Sequence, residues 1–181
     1  TWTALCADTK VIACWMVGNR TASTAQQFMQ DLAGRLSSRV QLSTDGYRPY
    51  LHAVEGAFHG EIDYGQLAKI YSTGPMQKGG YTATRFIRST KRAVSGSPDA
   101  AHISTSFVER QNLTMRMGMR RFTRLTNGFS KKVENLAHAV ALHYMHYNFA
   151  REHQTLQMTP AMAAGVADHR WSLTEIAALL D

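Results

Sequence analysis

The sequence predicts an α/β fold with a mixed sheet flanked by helices, on three observations. Short apolar runs rich in strand formers alternate with amphipathic helical stretches from Trp2 to Tyr71. From Ser106 onward, apolar residues recur at helical spacing. The 181 residues, 44% of them apolar, suffice for one ordinary core, so a single domain is expected.

Taken in order, Trp2 to Ala7 and Val11 to Val17 read as two strands around a polar turn at Asp8-Thr9-Lys10. From Thr21 the spacing becomes helical, with Ala25, Phe28, Met29, Leu32 and Leu36 on one stripe and Gln26, Gln27, Asp31 and Arg35 on the other. Val40 to Thr44 reads as a strand, central in the sheet and ending at Asp45-Gly46. Tyr50 to Phe58 reads as a short helix and Asp63 to Tyr71 as a further strand. Residues 72–103 hold Gly74-Pro75, Gly79-Gly80 and Ser95-Gly96-Ser97-Pro98 without an apolar period, which predicts a long basic loop. Ser106 followed by Glu109 has the form of a capping box and opens a helix running to about Arg121. Ser130 starts another, with Val133, Leu136, Ala137, Val140, Tyr144 and Tyr147 on one face. Thr159-Pro160, and Ser172 with Glu175, begin two short helices. The expected division is a core over 1–158 and a helical tail over 159–181.

Composition narrows the function. The longest apolar run, Val11 to Val17, is far too short to span a bilayer, and no charged-then-apolar leader opens the chain. Cys6 and Cys14 form neither a disulfide framework nor a zinc pattern, which fits a reducing, cytoplasmic setting. No phosphate-binding glycine loop and no serine or cysteine nucleophile with an evident histidine partner is present. His143 and His146 lie one turn apart without acidic partners and read as packing residues. The net charge of +7 is unevenly spread. Residues 64–98 and 110–133 are basic blocks free of Asp and Glu, the second holding Arg110, Arg116, Arg120, Arg121, Arg124, Lys131 and Lys132. Single-sign blocks of this kind suit a phosphate-rich partner.

Two carboxylates draw attention. Asp45 closes a strand of an open α/β sheet, where ligands collect, although Asp-Gly is also an ordinary turn pair. Glu109, Asn112, Arg116 and Arg120 fall on one helical stripe that begins with a carboxylate and continues with guanidiniums. A metal-binding carboxylate beside cations that hold phosphates is what phosphodiester cleavage needs.

The stretch Val108-Glu109-Arg110-Gln111-Asn112-Leu113-Thr114-Met115-Arg116, with Arg120-Arg121 and Phe129-Ser130-Lys131-Lys132-Val133-Glu134, resembles the C-terminal part of small bacterial insertion-sequence transposases typified by insertion sequence one. Thr44-Asp45-Gly46 with Tyr50 looks like their segment around the second catalytic aspartate. Tyr147-Asn148, Arg151, His153, Leu156 and Thr159-Pro160 are similar to the closing segment of transposase and integrase-type domains. The resemblance implies a ribonuclease-H-like fold and an acidic triad that cuts and rejoins double-stranded DNA with Mg²⁺ or Mn²⁺. It implies that Asp45 and Glu109 are the second and third acids, that the basic residues named above contact DNA, and that the protein forms a homo-oligomer on DNA near the nucleoid. The first acid is expected on a strand upstream of Thr1, with Asp8, in a turn, as the substitute. The alternative is a truncated remnant that binds DNA without cutting it.

Overall fold

The computed structural model describes residues 1–73, 84–123 and 127–180. It is a mixed α/β structure whose strands form a two-stranded and a three-stranded sheet. The chain divides into two compact units, one spanning Arg20–Thr105 and the other combining Thr1–Asn19 with Ser106–Asp181.

In the unit spanning Arg20–Thr105, helix α1 (Ala22–Gly34) starts where the Thr21 side chain accepts the Thr24 amide. It buries Ala25, Phe28, Met29 and Leu32, the stripe that its spacing predicts, and packs against α2 (Pro49–Phe58). Strand β3 (Gln41–Asp45) runs parallel to β4 (Asp63–Thr73), with α2 as the crossover, and β4 pairs antiparallel with β5 (Thr84–Ser95). Strand order is β3-β4-β5, so the strand that ends at Asp45 lies at an edge among the described residues, and β4 is central. Ile62, Tyr64 and Leu67 are buried here with Ile103. Gly65 has no side chain because Ile103 fills its place: a Cβ there would sit 2.7 Å from Ile103 Cγ1.

The expected basic loop is in part a strand, and residues 74–83 of it lie outside the described residues. Residues 84–95 form β5, held by its ladder to β4, although residues 85–93 are exposed on both faces. Backbone pairing satisfies the amides without any buried apolar face, and that face was the signal the sequence lacked.

The other unit opens with the hairpin of β1 (Trp2–Leu5) and β2 (Ile12–Met16). Lys10, at φ 60°, turns the chain, with its amide on the Cys6 carbonyl at 2.9 Å. Asp8 is exposed in that turn, as its setting predicts. Helix α3 spans Ser106–Gly118, followed by a 3-10 turn at Arg120–Phe122. Helix α4 runs Val133–Met145, three residues later than Ser130, and continues into a π-helical turn over His146–Ala150. Helices α5 (Pro160–Ala163) and α6 (Leu173–Ala177) follow, capped by Thr159 and by a full Ser172–Glu175 capping box. Ile12, Met115, Val140, Tyr144 and Tyr147 form the core of this unit. Chain segments far apart in sequence meet there: the Asn148 side-chain amide accepts from the Ile12 amide at 2.9 Å and donates to its carbonyl at 3.0 Å. No helix among the described residues is long and apolar enough to cross a membrane.

Candidate functional site

Asp45 stands at the C-terminal end of β3, opposite Leu67, with its side chain 53% exposed. The chain can turn closely past β4 there because residue 46 is glycine: a Cβ on it would approach that of Ala68 to 3.3 Å. One carboxylate oxygen of Asp45 accepts the Tyr47 amide at 3.1 Å and the other accepts from the Arg20 guanidinium at 3.2 Å. Arg20 lies over the Tyr47 ring at 4.5 Å, and the Tyr47 hydroxyl donates to the Arg20 carbonyl. Beside this pair, the Tyr64 hydroxyl joins Thr44 and Gln66 at 2.8 Å each. Burial, and then the Asp45 charge, push the Tyr50 phenol far above its ordinary value, so it stays protonated. The result is a neutral polar bed carrying one exposed carboxylate and one exposed guanidinium.

Glu109 occupies the first turn of α3, exposed, and belongs to the other unit. Asp45 and Glu109 therefore sit in different compact units. Among the described residues, no group of three His, Cys, Asp or Glu side chains converges as a metal cage. Mg²⁺ commonly takes one or two carboxylates and completes its shell with water and phosphate, and both oxygens of Asp45 are engaged here by the Tyr47 amide and the Arg20 guanidinium. Because Arg20 and Asp45 are both exposed, their ion pair costs little to open.

The expected DNA contacts all fall in the second unit. Arg110 and Arg116 are exposed on α3, Arg120 and Arg121 lie in the 3-10 turn, and Lys131 and Lys132 are exposed just before α4. Arg121 donates to the Ser130 hydroxyl, which ties the 3-10 turn to the start of the Lys131-Lys132 segment. Arg124 lies outside the described residues. Comparison with protein-family models, curated proteins and solved structures returns no match.

Sequence reasoning missed a cleft of about 340 Å³ in this unit. Phe107, Arg110, Gln111 and Thr114 of α3 line it, joined by Lys10 of the hairpin turn and by residues 151–155 after the π-helical turn. The only available signal was that Phe107, Arg110, Gln111 and Thr114 follow one helical stripe, adjacent to the stripe that Glu109 heads. The remaining lining residues come from sequence positions that no local pattern connects. His143 is half-buried beside Tyr144, and burial lowers its pKa, whereas His146 is exposed.

Proposed function

We propose that this chain is the catalytic core of a DDE-type insertion-sequence transposase, on a ribonuclease-H-like fold, acting on double-stranded DNA as a homo-oligomer. The observation that carries the reading is the setting of Asp45: an exposed carboxylate at the C-terminal end of a strand in a parallel β-α-β crossover, where α/β sheets bind their ligands. The quoted motifs and the basic character of α3 and the segment after it support the same reading. Asp45 and Glu109 are the proposed ligands of Mg²⁺ or Mn²⁺, which when bound supplies Lewis acidity to the phosphodiester and its attacking oxygen. Arg20 holds Asp45 in place and shields its charge until DNA arrives. Arg110, Arg116, Arg120, Arg121, Arg124, Lys131 and Lys132 position the strand by phosphate contacts.

The decisive experiment incubates the chain with supercoiled plasmid and Mg²⁺ or Mn²⁺ and measures nicking. The expected result is metal-dependent nicking that Asp45→Asn and Glu109→Gln each abolish while circular dichroism stays unchanged. Nicking retained by Asp45→Asn rejects its role. Salt-sensitive DNA binding without nicking by the parent chain rejects catalysis by residues 1–181 on their own and favours the DNA-binding remnant.

A further inference from the structure

The cleft beside α3 has its own chemistry. Lys10, Arg110 and Arg151 line it, and the one acid there, Glu152, lies 3.9 Å from Arg170. Among the described residues, Arg110 and Arg151 enter no ion pair, so the cleft is left with net positive charge. The Lys10 ammonium donates to the Ala7 carbonyl and sits 3.9 Å from the Phe107 ring centroid, a cation fixed in place without a carboxylate. Phe107 remains 43% exposed. Gln111 is only 3% exposed, yet its side-chain Nε2 has no hydrogen-bond partner, and Nδ1 of His153 is likewise buried and unpartnered. A buried amide donor left unsatisfied is costly, and a ligand acceptor would recover that cost. The volume lies within the ~300–1,000 Å³ typical of small-ligand clefts.

Cations recognise phosphate, an exposed aromatic ring suits a planar base, and a buried carboxamide reads the acceptors on a base edge. We propose that this cleft takes one unpaired nucleotide of a DNA strand, its phosphate against Lys10, Arg110 and Arg151 and its base beside Phe107 and Gln111. The proposal rests on the DNA-binding reading above and adds to it a preference for unpaired over paired DNA. A fully paired duplex cannot present a base to such a cleft without breaking a pair, whereas an unpaired nucleotide is offered at little cost.

The test measures binding of the whole chain, at fixed salt, to a labelled duplex and to the same duplex carrying one unpaired 2-aminopurine, with deoxyadenosine monophosphate as competitor. The expected result is about tenfold tighter binding of the unpaired probe together with a change in 2-aminopurine emission. Gln111→Met should bring the preference close to one. Arg151→Ala, at an exposed position, should do the same if Gln111→Met fails to fold. Equal affinity for the two probes, with unchanged emission, overturns the cleft proposal while leaving DNA binding intact. Binding of the free mononucleotide without preference for the unpaired probe overturns it in favour of a small-molecule ligand. No salt-sensitive binding to any DNA overturns both this proposal and the function on which it rests.

Discussion

At the scale of single residues, Asn148 shows how one polar side chain can stand in for a missing strand neighbour. Its amide returns both hydrogen bonds of the Ile12 backbone, and it is 9% exposed, so water does not readily replace it. Asn148→Leu, nearly isosteric, should leave the Ile12 amide and carbonyl orphaned and cost about 2–4 kcal/mol in chemical denaturation. A loss below about 0.5 kcal/mol would mean that the hairpin relaxes or that water enters. The sequence marked Asn148 only through its place in a familiar-looking motif, because its partner lies 136 positions away. Asp45 was more legible: Asp-Gly closing the strand-like stretch Val40 to Thr44 announces a strand end and a turn from local sequence alone. The Arg20 ion pair was not, since nothing in local periodicity brings residue 20 to residue 45. Gly96 belongs with the illegible residues as well. At φ 66° it lets the Ser97 amide reach Asp63, whose carboxyl is pulled down to about 2, mainly by Arg39.

At the scale of elements, legibility followed burial. Helix α1 could be read because its buried face recurs at helical spacing, whereas β5 could not, because a strand exposed on both faces carries no alternation. Helix α3 was recognised as a helix, but its cleft-lining stripe mixes an aromatic, a cation and an amide, and no periodicity argument singles out such a mixture. The cap of α6 was legible down to its chemistry, since Ser172 and Glu175 form the reciprocal capping box. His169 adds to it, meeting Glu175 at 2.8 Å and Asp168 at 2.6 Å. The Ser172 amide, then His169, draw the Glu175 carboxyl down to about 2, and Glu175, then Asp168, raise the His169 imidazole. The contribution of Glu175 is complete above its ordinary value of 4.5 and fades as pH falls toward 2. That of His169 is complete below 6.5 and fades as pH rises through its raised value. Protection of the Glu175 amide in hydrogen exchange should therefore peak between those two ordinary values, about pH 4.5 to 6.5, after correction for intrinsic exchange. Flat protection from pH 4 to 9 would show that the cap holds without the histidine.

At the scale of the whole molecule, each unit carries its own core and its own surplus of positive charge. Residues 20–105 hold ten Lys and Arg against six Asp and Glu, and the remaining residues hold ten against seven, giving +4 and +3. The charge of the discontinuous unit is the more concentrated. Seven of its ten cations fall within residues 110–133, and no acid lies among them. Long side chains with uncompensated charge on exposed positions release counterions when they meet phosphates, so affinity for duplex DNA should fall steeply with salt. Each phosphate contact contributes about 0.9 to the slope of log affinity against log salt. Replacing Lys131 and Lys132 together with alanine should flatten that slope by about 1–2 while leaving the fold unchanged, because both side chains are exposed and neither is part of the core. Replacing the exposed Arg35, which is already paired with Asp31 at 2.9 Å in the other unit, should leave the slope alone. An equal flattening by both changes would mean that the slope reports net charge rather than a defined phosphate track, and the assignment of Lys131 and Lys132 as DNA contacts would fall with it.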